Sequence, residues 1–220
     1  MMKTMKAAWP GLIFCLTACC ADMEGSGIDD FEAGLEPTAW KPTITGDGRS
    51  RWTVEEDATA PSGTKVLKQG GLTPGSSFPL CLKEGPLFAD GFVEVKFKTV
   101  SGEIDQAAGV VWRARNEGNY YVCRANALED NVVLYKLQAG KRTPLDIVGR
   151  QGGYGVEEKV APAQWHTLRV EFAGERFEVL FDGRKLFAVE DRTFAGSGVV
   201  GLWTKADSVT LFDDFRWGGR

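Results

Sequence analysis

The segment from Arg113 to Lys136 holds the densest set of side chains that can do recognition chemistry. If the stretch Tyr120 to Asn126 is an alternating strand, Tyr120, Val122, Arg124 and Asn126 share one face. On the preceding stretch Val111, Arg113 and Arg115 share a face by the same rule. Guanidinium forks and an amide bind hydroxyl pairs, while tyrosine and tryptophan faces cover the apolar side of a ring. Arg113, Tyr120, Arg124, Asn126, Glu129, Lys136, Trp203 and Lys205 are therefore the candidate ligand residues, with the chemistry of a sugar platform. The competing account is a solvated sheet face on which Arg113, Arg124 and Glu129 form ion pairs and Trp203 belongs to the core. His166 is the sole histidine, so no site needing two imidazoles exists. It is either a general base or, in Trp165-His166-Thr167-Leu168, a packing residue at a strand start. No pair of cysteines has zinc-ligand spacing. Cys81 and Cys123 are either a disulfide or two buried thiols.

The elements that must position these groups read as strands. Val93, Val95 and Phe97 alternate with Glu94, Lys96 and Lys98; Leu168, Val170 and Phe172 alternate with Arg169 and Glu171; Phe177, Val179 and Phe181 flank Glu178 and Leu180. Glu117-Gly118-Asn119, Ala139-Gly140, Gly174 and Asp182-Gly183 supply turns at short spacing. No helix is expected in the body. A dozen short strands without a fixed repeat predict an all-β fold, a two-sheet antiparallel sandwich of the jelly-roll kind, in one domain. The ends echo each other, with Ile28-Asp29-Asp30-Phe31 near the start and Phe212-Asp213-Asp214-Phe215 near the finish. If those strands are neighbours, Asp29, Asp30, Asp213 and Asp214 are hard oxygen ligands suited to a structural Ca²⁺; otherwise each pair sits at a strand end in solvent.

The N-terminus has the layout of a secretory leader: Lys3 and Lys6, an apolar run from Ala7, then Leu16-Thr17-Ala18-Cys19. Residues 1–18 are read as a signal of the lipoprotein type, Cys19 as the lipidated residue, 19–27 as a tether and 28–220 as the domain. An ordinary leader cut after Ala21 is the alternative. The expected place is the cell envelope, outer membrane or periplasm, with membrane contact only through the lipid. The 220 residues carry 26 basic and 30 acidic groups, and loss of the leader moves the net charge from -4 to -6. An acidic body without a basic run excludes nucleic acid and points to a neutral glycan as partner.

The runs Gly109-Val110-Val111-Trp112-Arg113-Ala114-Arg115, Asn119-Tyr120-Tyr121-Val122, Trp165-His166-Thr167-Leu168-Arg169-Val170, Phe181-Asp182-Gly183 and Gly198-Val199-Val200-Gly201-Leu202-Trp203 resemble a known pattern. It is that of laminin-G-like, concanavalin A-like jelly rolls, specifically the bacterial 3-keto-disaccharide hydrolase domain family. The resemblance implies a curved sandwich acting on glycans outside the cytoplasm, with ligands on its concave sheet. Concanavalin-type glycosidases carry both carboxylates in a motif that begins Glu-Ile-Asp and ends on a second Glu. Here Glu103-Ile104-Asp105 is present, but Ala107 stands where the second Glu belongs, so a hairpin loop is the better account. If the chain cleaves a 3-keto-glycoside by elimination, Glu129 or Asp207 is the candidate base and Arg124 or Lys205 the oxyanion stabiliser. Binding is expected ahead of catalysis, with a structural or protein-interaction module as a further alternative.

Overall fold

The computed structural model describes residues 25–85 and 87–220, so the expected leader and Cys19 lie outside the described residues. The strands are β1 (Gly27–Asp29), β2 (Trp40–Thr45), β3 (Trp52–Glu56), β4 (Lys65–Gln69), β5 (Phe78–Lys83), β6 (Gly91–Ser101), β7 (Ala107–Asn116) and β8 (Asn119–Asn126). They continue with β9 (Asn131–Gln138), β10 (Lys141–Pro144), β11 (Val156–Glu157), β12 (His166–Ala173), β13 (Arg176–Phe181), β14 (Arg184–Glu190), β15 (Val199–Trp203) and β16 (Val209–Gly219). Among the described residues there is no helix. One sheet runs β14-β13-β12-β6-β16-β4-β3 with β1 on β16, and the other runs β10-β9-β8-β7-β15-β5-β2 with β11 on β9. All of these neighbours pair antiparallel, and the expected two-sheet sandwich is the fold.

The period-two pattern explains which side of each strand is wet. In the first sheet Val93, Val95, Phe97, Leu168, Val170, Phe172, Phe177, Val179 and Phe181 enter the inter-sheet core. Their alternates face water and pair across and along strands, as Arg169 does with Glu94 on β6 and with Glu171 on its own strand. His166 belongs to this pattern: its ring stacks on Phe181 at 5.1 Å, and its nitrogens meet Asp182 at 2.8 Å and the Ala161 carbonyl at 3.1 Å. It is a packing histidine.

The second sheet is buried on both faces. Cys81, Val110, Trp112, Tyr121, Cys123, Ala125 and Leu134 enter the inter-sheet core, while Phe78, Leu80, Val111, Tyr120, Val122, Val133, Tyr135, Leu137 and Trp203 form a second cluster on the other side. Contacts within that cluster require strong curvature. Tyr120 on β8 lies 2.9 Å from the Thr45 hydroxyl on β2, four strand spacings away, and the Arg142 guanidinium on β10 lies 4.9 Å from the Phe78 ring on β5, five spacings away. A flat sheet would hold these backbones about 19 and 24 Å apart. The sheet therefore curls into a bowl whose floor is filled by its own aromatic side chains.

Candidate functional site

At one end of the bowl the filling turns polar. Arg124, on β8, is 1% exposed and donates to Glu129 Oε2 at 2.8 Å, to the hydroxyls of Tyr135 and Tyr154 at 3.2 Å each, and to Asn131. Asn126, two residues on and on the same face, gives its amide to Asp105 Oδ1 at 2.7 Å and Glu129 Oε1 at 3.2 Å. Because one nitrogen bonds both, those two carboxylate oxygens are at most about 6 Å apart. Lys205 closes the group with a 2.5 Å ion pair to Asp105 Oδ2. Two cations and two carboxylates thus balance around a single amide. Glu129 is 37% exposed and Lys205 18%, so the network opens to solvent on that side.

Local backbone chemistry places these groups. Alternation along β8 and β9 sends Arg124, Asn126 and Tyr135 to the bowl, with Arg124 opposite Val133 and Asn126 opposite Asn131. Asp105 arrives from the loop between β6 and β7, where the Asp207 carboxylate accepts the backbone N–H groups of Glu103, Ile104 and Asp105 at 2.6 to 3.1 Å. Tyr154 arrives from a glycine-rich loop. Gly155 has φ +62°, and a Cβ there would lie 2.2 Å from the Val132 carbonyl oxygen. Only glycine lets the loop descend onto β9 and set the half-exposed Tyr154 ring 5.7 Å from the Arg124 guanidinium.

Electrostatics fix one protonation state. Burial alone would push the Glu129 carboxyl up, but the charge of Arg124 and the hydrogen bonds from Asn131 and Arg124 outweigh it and hold the pKa below the usual carboxylate value. Glu129 is therefore an anionic acceptor. Asp207 is likewise held low, because its three backbone donors outweigh desolvation.

The other expected residues divide. Tyr120 and Trp203 do stand on the bowl face, but both are buried: Trp203 stacks on Phe78 at 5.4 Å and Tyr120 bonds Thr45. They form the floor beneath the polar end and do not present open stacking faces. Arg113 is not on this face. The register shifts between Trp112 and Asn116, and Arg113 has φ +48°, so the bulge turns its side chain to the edge of the inter-sheet core. There it donates to the carbonyls of Ala89, Phe194 and Gly174 and lies over Phe172 and Phe177. Lys136 also faces away, because the bowl side of β9 is Val133, Tyr135 and Leu137; it pairs with Asp191 at 2.8 Å. Asp207, a candidate base, is instead occupied in tying the loop that carries Asp105.

The terminal strands are neighbours as the echo suggested, with Asp29 opposite Phe215. Their carboxylates take protein donors, however, with the Ser62 hydroxyl serving both Asp213 and Asp214. Asp29 accepts from Trp40 Nε1 at 2.7 Å, Asp30 caps Glu32, Asp213 accepts from Ser62, and Asp214 pairs with Lys96 at 2.6 Å. No group of three or more metal-ligating side chains is assembled among the described residues. The Glu103 to Gln106 segment is a loop, as its Ser101-Gly102 start implied.

Asn131, Tyr135 and Tyr154 were not among the expected residues, and Asp105 was expected only as part of an incomplete carboxylate motif. Tyr135 carried a usable signal, since it alternates with Val133 and Leu137; Tyr154 carried another, an aromatic set between Gly153 and Gly155. Asp105 carried none beyond the incomplete carboxylate motif.

No protein-family model matches the chain, and no curated protein matches it in sequence. Solved structures do match in fold. A carbohydrate binding module from Bacillus subtilis is 18% identical at a TM-score of 0.61, over 81% of this chain and 94% of its own. A Bacillus licheniformis β-glucanase is 13% identical at 0.54, over 89% and 98%. A GH16 protein of a Bacteroides ovatus mixed linkage glucan locus, solved with product, is 10% identical at 0.59, over 87% and 99%. At these identities the likeness establishes architecture alone: the chain has the concanavalin A-like jelly-roll fold.

Proposed function

We propose that this chain is a glycan-binding domain that engages its ligand at the polar end of the bowl. The observation that carries this reading is the convergence of Arg124, Asn126, Glu129, Asp105 and Lys205 on one charge-balanced network beneath the half-exposed Tyr154 ring. Planar donors and acceptors at fixed angles suit paired sugar hydroxyls, and an exposed tyrosine suits the apolar face of a pyranose. The carbohydrate-binding module and the glucanases that share the fold support the same ligand class. Export through the N-terminal leader, with a lipid on Cys19, would place the domain in the cell envelope, and mass spectrometry of the membrane-fraction protein tests that placement. For binding, the test is a glycan array with the wild type, Glu129→Gln and Tyr154→Ala. Each substitution is expected to lower affinity at least about tenfold, close to 1.4 kcal/mol. Unchanged array profiles would move the site elsewhere.

A second reading, cleavage of 3-keto-disaccharides, draws on the closeness of Asp105 and Glu129 and on Lys205 beside them. In it Glu129 removes the proton at C2, Lys205 stabilises the resulting enolate, the C1–O bond breaks as Glu129 returns that proton to the leaving oxygen, and water adds OH to C1 and H to C2 of the enone. Binding is favoured because the ion pair with Arg124 makes Glu129 a weak base. Release of free sugar from a 3-keto-disaccharide, abolished in Glu129→Gln, would reverse that preference.

A further inference from the structure

Resting on the glycan reading, the geometry points to a sugar that carries a carboxylate, a uronic acid unit, with Arg142 as its reader. The two cations of the network are spoken for: Arg124 pairs with Glu129 and Lys205 with Asp105. Arg142 is not. It stands on β10 opposite Leu137, in the same cross-strand row as Tyr120, and thus on the bowl face. Its guanidinium lies 4.5 Å from the Tyr135 ring centroid and 4.9 Å from that of Phe78. Among the described residues no carboxylate lies within ion-pair distance of it, and its Nη1 is buried without an acceptor. The same is true of Nε on the 1%-exposed Arg124, whose guanidinium overlooks the same Tyr135 ring.

The bowl therefore contains surplus donors and one surplus positive charge. Aromatic faces hold the Arg142 fork in a fixed plane, which suits a bidentate carboxylate better than scattered hydroxyls. A neutral sugar would satisfy the hydroxyl-binding network but leave the Arg142 charge uncompensated. A uronate supplies the missing acceptor while its ring meets the solvent-facing members of the network, Glu129, Lys205 and Tyr154. The overall acidity of the chain argues against broad attraction to polyanions, so selectivity must come from this local fork rather than from a long-range field.

The test is the glycan array composed of matched pairs, each neutral oligosaccharide beside its uronate counterpart of the same linkage and length, followed by calorimetry on the pairs that bind. The expected result is at least about tenfold tighter binding of the uronate member by the wild type. Arg142→Gln should abolish that preference while leaving the affinity for the neutral member within about twofold, and Arg142→Lys should retain part of it. Equal affinity for both members, or a preference that survives in Arg142→Gln, would overturn the proposal and leave the glycan reading standing. Binding to no pair on the array would remove both.

Discussion

At the scale of single residues, Asn126 decides whether the site holds together. It is fully buried, its amide nitrogen bridges Asp105 and Glu129, and its carbonyl oxygen accepts the Leu128 N–H at 2.9 Å. Asn126→Ala leaves two carboxylates facing each other without the shared donor, and the expected cost is about 2 kcal/mol in urea denaturation together with loss of glycan binding. Asn126→Asp should be worse, since it adds a third negative charge; a milder effect than alanine would refute the bridging role. Glu129 gives the site its pH dependence. A carboxyl whose pKa is lowered by folding contributes stability above its unfolded value and loses that contribution as pH falls through the folded value. Burial opposes the lowering, but Arg124 and Asn131 win. The Glu129 contribution to stability, and glycan affinity with it, should thus be flat from neutral pH to about 4.3 and fall below it, and Glu129→Gln should flatten that acid limb. Alternation alone was enough to read Arg124 and Asn126 from the sequence, because β8 is regular. Asp105 was not legible, since its place depends on three backbone bonds to Asp207, about a hundred residues away.

At the scale of elements, the lesson lies in β7. Strict alternation puts Arg113 beside Val111 on the bowl face, and the strand obeys that rule as far as Trp112. Beyond it β7 carries one extra residue against β15 and two against β8, and the phase is lost. Nothing local announces this: Ala-Arg-Asn is an ordinary continuation, and the bulge rests on Gly198, whose Cβ would lie 2.4 Å from the Arg113 carbonyl carbon. Arg113 consequently ties loops of both sheets together through three carbonyls. Arg113→Met should leave those acceptors unsatisfied and cost about 3 kcal/mol by urea denaturation, with glycan affinity unchanged in the folded fraction. Lost affinity at unaltered stability would return Arg113 to the ligand site. A second bulge, between Asp213 and Arg216 on β16, carries a different signature. Burial, with help from the Asp214 charge, raises the Asp213 carboxyl despite its bonds from Ser62 and the Asp214 N–H. A raised carboxyl stabilises the fold at low pH and costs stability as pH rises through the folded value. Asp213→Asn removes that cost but sets an amide N–H against the Ser62 or the Asp214 N–H, so it is expected to lower Tm at neutral pH; a raised Tm would show that the buried charge costs more than the lost acceptor.

At the scale of the whole molecule, the order of strands settles what the sequence left open about the two cysteines of the body. Cys81 on β5 stands opposite Leu202 on β15, Leu202 opposite Val110 on β7, and Val110 opposite Cys123 on β8. The two thiols share a face and a row but are separated by three strand spacings, about 14 Å, twice the reach of a disulfide. Both are fully buried, and desolvation pushes both thiols well above their ordinary pKa. That combination makes them inert packing residues even in an oxidising compartment. Two cysteines in the body behind an N-terminus expected to be a secretory leader invite a bridge; only the crossover order of the second sheet, set by contacts far apart in the chain, forbids it. With Cys15, Cys19 and Cys20 replaced by serine, two thiols should accordingly react with an aromatic disulfide reagent in denaturant and essentially none in the native state, and Tm should be the same with and without dithiothreitol. A reductant-sensitive Tm would contradict the strand order itself, and with it the bowl that brings Arg142 across to Phe78 and sets the ligand end apart from the filled floor.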